Sequence, residues 1–337
     1  MGSAITTIHI IYLLGVVCIL LSMALRKEAV FPCIIFIFLI GLVGGQSVIA
    51  GIQAVFQTIL HGAINFMDII VTITLVTALS KLLNALGSDR IMMEPGARII
   101  KSPSSAYWII GITMMVASFF LWPSPVVALI GTMLLPIAVK VGLPAMSVAI
   151  AMNIFGHGIA LSSDLFIQGA PSITADAAGL SPSDITMAGI PLFITMSVVT
   201  SVAAFLFLRK SMVKSSEPVE PVRNGNSSRL AIIVAIATPL LFVGDIVAMF
   251  LLDLKGGDAS SLVGGTALLI LCAASVAAYK KDAFDNIAEY LRQGFLFGIK
   301  IFSSVIVIGG FFFLGGEGIT SILGENFAGY SGILSDL

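Results

Sequence analysis

The chain has 337 residues, of which 58% are hydrophobic and 10% are charged, and its formal net charge is −1. This composition lies far outside the range of soluble domains. Several nearly uncharged runs reach about 20 residues, the length that a helix needs to cross a bilayer. No basic patch that could bind nucleic acid occurs. The sequence therefore predicts an all-α polytopic membrane protein that contacts the lipid bilayer and no nucleic acid.

Hydrophobic windows bounded by charges and helix breakers predict the membrane segments. Residues 1–208 form a first part, with spans at about 5–25, 29–47 and 62–86, a hairpin at 106–140, a helix at 144–168 and a span at 187–208. A hydrophilic cytoplasmic linker follows at 209–230. Residues 231–337 carry spans at about 231–252, 261–279 and 295–315. Two short stretches, 48–61 and 280–292, are expected at the membrane surface.

The basic residues are distributed unequally between the two sides of this arrangement. Fifteen of the 17 lysines and arginines fall on one side. Loops rich in lysine and arginine stay in the cytoplasm. We therefore expect an integral plasma (inner) membrane protein with cytoplasmic basic loops and an external N-terminus.

The order of elements in the first part recurs in the last part. The shift in numbering that superposes Gly62 on Gly294 also superposes 52–61 on 284–293, and it is called the repeat shift below. The first copy starts outside and the second starts inside, which is the inverted-topology repeat of many secondary transporters. The repeat shift would place the end of the second copy near residue 440. The second repeat is therefore expected to be truncated.

The segment WPSP, from Trp122 to Pro125, separates two apolar arms at about 106–121 and 126–140. Proline removes a backbone donor and clashes with the preceding turn, so a continuous helix is disfavoured here. Unpaired backbone groups in a membrane must be buried in protein or line a wet cavity. The pattern predicts a re-entrant hairpin, with Pro123 and Ser124 at a tip that could bind a cation. The alternative is two short spans with an external turn.

Residues 153–164, NIFGHGIALSSD, place many polar groups inside an apolar segment. Gly156 and Gly158 weaken the helix around His157, and Ser162 or Ser163 could cap a second half-helix. A broken helix exposes backbone groups that can bind a substrate and a coupling ion. The candidate ligands of this segment are Asn153, Gly156, His157, Gly158, Ser162, Ser163 and Asp164. The alternative is an unbroken helix that carries Asp164 to the outer interface.

Other ionisable groups also fall within predicted spans. The repeat shift relates Asp68 to Lys300, so these opposite charges could form an ion pair between the repeats. Asp245 has no evident partner in the sequence.

The WPSP tip and the GHGIALSSD segment resemble those of the ion transporter superfamily. That group includes sodium–dicarboxylate symporters, citrate carriers, gluconate-type permeases and some sodium/proton antiporters. The resemblance implies three spans, a re-entrant hairpin, a broken helix and a final span, repeated in inverted form. It also implies that the two segments form half of the substrate and ion site. Members of that group are often dimers, so a homodimer is one expectation for this protein. The Ser-Asn-Thr tip of the dicarboxylate branch is absent, so that branch's specificity does not carry over.

The predicted function is ion-gradient-driven secondary transport of a small organic anion. No ATPase motif is present, so Na⁺ or H⁺ would be the coupling ion. Apart from a transported Na⁺, neither a metal nor a cofactor is expected, and the protein is not predicted to be an enzyme. The nearest alternative is a sodium (cation)/proton antiporter that uses Asp164 and His157. More remote alternatives are an intramembrane hydrolase and a structural membrane scaffold.

Overall fold

The structure, a computed structural model, describes residues 6–121, 123–166, 168, 171, 174–175, 180–212, 228–316, 318–324 and 332–334. In these residues the regular elements are helices and no strand occurs. Seven helical stretches are long and apolar enough to cross a membrane. The predicted fold class, an all-α polytopic membrane protein, is confirmed.

The helices are labelled here in chain order. They are α1 (Thr7–Ala24), α2 (Val30–Gly44), α3 (Val48–Asn65), α4 (Met67–Leu86), α5 (Ser88–Ile99), α6 (Pro103–Leu121), α7 (Pro123–Lys140), α8 (Ala145–Ser163), α9 (Pro182–Leu208), α10 (Arg229–Leu252), α11 (Gly256–Tyr279), α12 (Ala283–Phe313) and α13 (Gly318–Leu323).

The third predicted span begins at the wrong residue. The stretch 48–61 belongs to α3, a helix that is itself long enough to cross a membrane, and the following span starts at Met67. Gly62 misled the prediction because it serves helix packing and ends no helix. A Cβ on Gly62 would lie 2.4 Å from the carbonyl oxygen of Ile306 on α12.

The second predicted surface stretch is also joined to its neighbour. A 3₁₀ turn at Lys280–Asp282 leads directly into α12, which has 31 residues. This helix contains the rest of the predicted surface stretch and nearly all of the predicted span at 295–315. The charged residues lie in its first turns, so the change of composition there marks no change of backbone structure.

The hairpin arms are longer than predicted. Helices α6 and α7 contain 19 and 18 residues and pack against each other. Each begins with a proline, at Pro103 and Pro123, because the first helical position needs no N–H donor. At about 1.5 Å per residue, each rises roughly 27–29 Å, close to the thickness of the hydrocarbon layer. This length suits a full crossing as well as a re-entrant arm, so the re-entrant hairpin stays a prediction.

The described chain forms two compact units. Unit 1 comprises the residues up to Ile70 and those from Gly298 onward, and unit 2 comprises Val71–Phe297. The core of unit 1 contains Tyr12 and Phe311, whose rings stack with their centroids 4.8 Å apart. The predicted repeats, 1–208 and 231–337, follow another division of the chain and stay a prediction.

In unit 2, helices α6, α7 and α8 share a core. Tyr107, Met114 and Phe155 are buried in it. A Cβ on Gly111 of α6 would lie 2.6 Å from the ring of Phe155 on α8, so the two helices touch closely. The Tyr107 hydroxyl donates a hydrogen bond of 2.9 Å to the carbonyl oxygen of Ser201 on α9. These contacts hold α8 and α9 around the candidate site.

Candidate binding site

The middle of α8 is a π-helix that runs from Asn153 to Ala160. The N–H of Leu161 donates to the carbonyl of Gly156, five residues earlier, as a π-helix requires. Two glycines weaken the α-helix here, but a membrane penalises free backbone groups. Widening the helix keeps those groups bonded. The predicted unwinding around His157 is therefore wrong. The segment does depart from the α-helix, however, and π-helical turns of this kind are frequent at functional sites.

The two glycines have different tasks. A Cβ on Gly156 would lie 2.6 Å from the Met114 methyl carbon on α6, so Gly156 is a packing glycine. A Cβ on Gly158 would meet only the Asn153 carbonyl oxygen, at 3.7 Å. Gly158 is exposed to the space beside the helix. Only Gly158 is therefore placed to contact a ligand.

Helix α8 ends at Asp164, beyond the glycines. Asp164 has left-handed backbone angles, φ 38° and ψ 47°, which are uncommon for a residue other than glycine. The Ser162 and Ser163 hydroxyls donate to the carbonyls of Ile159 and Ala160, at 3.2 and 3.0 Å. Both serines lie in the last turn of α8, so the prediction that one of them caps a second half-helix is wrong.

Asp164 is buried, with 7% of its surface exposed. Its carboxylate accepts a hydrogen bond of 3.0 Å from the backbone N–H of Gln168. Helix α8 runs without interruption to Ser163, as in the alternative of an unbroken helix, but the carboxylate at its end is covered by protein.

A cavity of about 560 Å³ lies between the π-helical segment and α9. Its size is typical of small-molecule sites. Its lining is largely apolar with interspersed polar groups, and four predicted site residues are among those that line it: Asn153, Gly158, Ser162 and Ser163. The sequence prediction therefore identified one wall of the cavity.

The opposite wall is α9, which sequence reasoning missed. Thr186, Gly189, Phe193, Ser197 and Thr200 line the cavity. They recur every three or four positions, so they form one stripe on an otherwise apolar helix. This spacing is the signal that could have identified them.

The polar groups of the cavity differ in what they can offer a ligand. The Thr186 and Ser197 hydroxyls donate to the carbonyls four residues earlier, at 2.9 and 2.6 Å, and keep free lone pairs. The Asn153 amide is exposed to the cavity and bonds to none of the described residues. Asn153 is therefore the cavity's main free donor and acceptor.

The N-terminus of α9 adds positive potential near the cavity. Ser181 caps the helix by accepting from the N–H of Asp184, at 3.2 Å, and a helix N-terminus carries partial positive charge. The Lys255 ammonium donates to the Ser183 hydroxyl in the first turn of α9, at 3.0 Å, and pairs with Asp253 at 2.7 Å. Thr186, in the following turn of the helix, lines the cavity.

The remaining predicted residues are placed around the cavity or away from it. The cavity lining does not include Gly156 and His157, which lie on α8, or Asp164, which lies at its end. Pro123 is buried, and the Ser124 side chain and all of Trp122 lie outside the described residues. The end of α6 does reach this region, because the ring of Phe119 lies 5.4 Å from that of Phe166 and 6.5 Å from that of Phe193.

Asp68 lies in the N-terminal segment of unit 1 and Lys300 lies in its C-terminal segment. Both residues are exposed. The Asp68 carboxylate accepts from the backbone N–H of Ile69, at 2.8 Å. The ion pair between Asp68 and Lys300 stays a prediction.

Comparison with known proteins gives a relative along the full chain. The uncharacterized membrane protein YhfA of Bacillus subtilis (strain 168) is 40% identical over 347 residues, which cover 100% of this chain and 75% of that protein. The chain belongs to the YhfA family. No protein-family model matches it, and no solved structure matches it.

Membership of the YhfA family agrees with the apolar helices in assigning the chain to a membrane. The similarity to YhfA runs through the whole chain, so both walls of the cavity lie in the region that the two proteins share.

Proposed function

We propose that the protein is a secondary transporter that moves a small organic anion across the membrane, driven by an ion gradient. The observation that carries this proposal is the cavity between the π-helical segment and α9. This cavity of about 560 Å³ lies in an apolar, membrane-spanning part of the chain, and amide and hydroxyl groups form part of its lining. Polar groups in such a place are expensive, and they mark substrate or ion pathways.

The anion is inferred from the dipoles around the cavity. The described lining contains no Asp, Glu, Lys or Arg, so a substrate's charge would interact with dipoles and hydroxyls. The N-terminal end of the α9 dipole favours a negative group, whereas the nearby Lys255 is paired with Asp253 and Asp184 lies in the first turn of α9. The free amide of Asn153 can donate to a carboxylate oxygen.

Two reciprocal contacts support the inverted repeat on which alternating access would depend. In unit 1, a Cβ on Gly62 would lie 2.4 Å from the carbonyl oxygen of Ile306. In unit 2, a Cβ on Gly294 would lie 2.3 Å from the carbonyl oxygen of Thr74. The repeat shift relates Gly62 to Gly294 and also Thr74 to Ile306. A two-fold relation produces such exchanged pairs.

The orientation, coupling ion and oligomeric state of the transporter would be those expected from the sequence. The basic loops would face the cytoplasm, with the N-terminus outside. The coupling ion would be Na⁺ or H⁺, and a homodimer would be the working form. The proposed role is transport and involves no enzymatic step.

Uptake into proteoliposomes tests the proposal. Purified protein would be supplied with labelled mono-, di- or tricarboxylates under an imposed Na⁺ or proton gradient. The matched variants are Gly189→Trp, which fills the cavity, and Gly244→Trp on the exposed face of α10. A Cβ at either position has nothing within 4 Å, so neither substitution forces a clash at its base.

We expect gradient-dependent uptake that Gly189→Trp abolishes and Gly244→Trp retains. Equal uptake by both variants would contradict the assignment of this cavity. Failure to take up any carboxylate, together with pH-dependent Na⁺ exchange, would replace the anion transporter with a cation/proton antiporter.

A further inference from the structure

One buried carboxylate in unit 2 is outside the cavity lining. Asp245 lies in the C-terminal half of α10, and 7% of its surface is exposed. Its Oδ1 accepts a hydrogen bond of 2.9 Å from the Thr266 hydroxyl on α11. Its Oδ2 is buried and has no hydrogen-bond partner among the described residues.

An ionised carboxylate in this position would be strongly disfavoured. Burying a charge without adequate partners is far more costly than burying a neutral group, and intramembrane carboxylates commonly belong to proton relays. A proton on Oδ2 removes the charge and leaves the bond from Thr266 to Oδ1 intact.

We propose that Asp245 is a proton-binding site, loaded from the end of the α10–α11 seam that carries Arg229 and Lys280. It deepens the proposed function, on which it rests, by naming the coupling ion. In the conformation described, Asp245 holds a proton. When water reaches the seam, the carboxyl group can exchange this proton with the solution.

The charged groups around Asp245 offer it no compensation. Helix α10 packs against α11 and α5, and its Phe250 ring lies 5.6 Å from that of Phe166. The charged or titratable groups on these elements and the adjoining segments are Asp89, Arg90, Glu94, Arg98, Lys101, Asp164, Arg229, Asp253, Lys255, Asp258, Cys272, Tyr279, Lys280, Lys281 and Asp282.

Asp258 is about two turns from Thr266, about 12 Å along the helix. Asp89 accepts from Asn84 at 2.9 Å, Asp164 accepts from Gln168, and Asp253 pairs with Lys255. Arg90 is exposed, and the side chains of Glu94 and Arg98 lie outside the described ones. Within the described side chains, none forms an ion pair with Asp245.

A metal cation fits this position less well than a proton. Ca²⁺ and Mg²⁺, for comparison, take about six or more oxygen ligands, and the side chains that meet here are Asp245 and Thr266. The described residues hold no group of three or more His, Cys, Asp or Glu residues that could bind a metal.

A second buried polar group indicates the path that the proton takes. Thr238 on α10 is 2% exposed, and its hydroxyl has no hydrogen-bond partner within the described part of the chain. It precedes Asp245 by seven residues, so it lies on the same face of α10, toward Arg229. Buried hydroxyls without protein partners are usually satisfied by water, and a file of water along this face would conduct protons to Asp245.

Carbodiimide labelling tests protonation directly. Dicyclohexylcarbodiimide modifies carboxyl groups that are protonated in apolar surroundings. The full chain in detergent would be treated across a range of pH, and the modified peptides identified by mass spectrometry. We expect label on Asp245 at neutral pH that declines as the pH rises, is lost in Asp245→Asn and persists in Asp258→Asn.

Infrared spectroscopy covers the case in which the reagent cannot reach the site. A protonated carboxyl absorption at neutral pH should be present in the wild type and in Asp258→Asn, and absent from Asp245→Asn. Identical spectra for the three proteins, with no label on Asp245 at any pH, would overturn the proposal.

Proteoliposomes that contain a pH-sensitive dye separate this inference from the transport proposal. Asp245→Asn should abolish carboxylate-driven proton movement, and Thr238→Val should slow it. If Asp245 is labelled but no carboxylate moves, the proton site stands and the proposed substrate fails. If carboxylate uptake proceeds without proton movement and Asp245 is never labelled, transport stands and the proton site fails.

Discussion

Replacing Gly294 with alanine should destabilise the protein, although alanine is the better helix former. Gly294 lies within α12, and a Cβ there would be 2.3 Å from the carbonyl oxygen of Thr74 on α4. Since real Cβ contacts shorter than 3.0 Å essentially do not occur, the helices would have to move apart until that distance is reached. The obstacle is backbone, which cannot turn aside as a flexible side chain can.

The magnitude follows from two opposing terms. Alanine in place of glycine stabilises a helix interior by about 1 kcal/mol, whereas overpacking costs about 1–3 kcal/mol. Gly265→Ala on α11 is the control, because its Cβ would meet nothing within 4 Å. Both variants gain the helix propensity of alanine, but only Gly294→Ala forces a close contact with another helix. Gly294→Ala should therefore be about 1–3 kcal/mol less stable than Gly265→Ala. Gly62→Ala should lose a similar amount, because its Cβ would lie 2.4 Å from a carbonyl oxygen.

A thiol-reactive fluorophore in detergent can measure this difference. With the partly exposed Cys18 and Cys272 replaced by serine, labelling of the fully buried Cys33 on heating reports unfolding of unit 1 and is suited to Gly62→Ala. Circular dichroism would follow the helices of Gly294→Ala and Gly265→Ala. On the order of 2 °C per kcal/mol is expected for a large domain. Melting of Gly294→Ala at or above the temperature of Gly265→Ala would refute the close approach of α12 to α4.

Three further substitutions test the site and its helix. Asn153→Leu should raise the half-saturating concentration of a transported anion roughly 2–10-fold, since a hydrogen bond contributes about 0.5–1.5 kcal/mol; unchanged uptake kinetics would remove this amide from the site. Asp164→Val should lower the melting temperature more than Asp164→Asn, because left-handed backbone angles disfavour residues other than Gly, Asn and Asp by about 1–2 kcal/mol. Equal stability would contradict the left-handed conformation at the end of α8. Gly156→Ala should be less stable than Gly158→Ala, because only the former meets Met114; the reverse order would show that Gly158 is the packing glycine.

The helices could be predicted because apolar length is a strong signal, whereas their exact junctions could not. Gly62 and the prolines at 103 and 123 illustrate this difficulty. A glycine can end a helix or permit close packing, and a proline can break a helix or begin one. Only the neighbouring helix distinguishes the glycine's two uses, and that helix can be far away in sequence, as Ile306 is from Gly62.

One wall of the cavity could be predicted and the other could not. Asn153, Ser162 and Ser163 are conspicuous because they cluster within a short apolar segment. Thr186 and Ser197 are isolated hydroxyls in a long apolar helix, where they commonly bond to the preceding turn, as both do here. Their shared face becomes meaningful only when α8 is placed opposite.

Helix α9 forms a whole wall of the cavity, yet little of its surface is covered by protein. Of its 27 residues, Thr186, Ser201 and Leu208 are buried. Lipid tails are as apolar as leucine, so no hydrophobic force holds an apolar helix against its neighbours within a bilayer. Directional polar contacts therefore fix the position of this wall: Lys255 donates to Ser183 near one end of α9, and Tyr107 donates to the Ser201 carbonyl near the other.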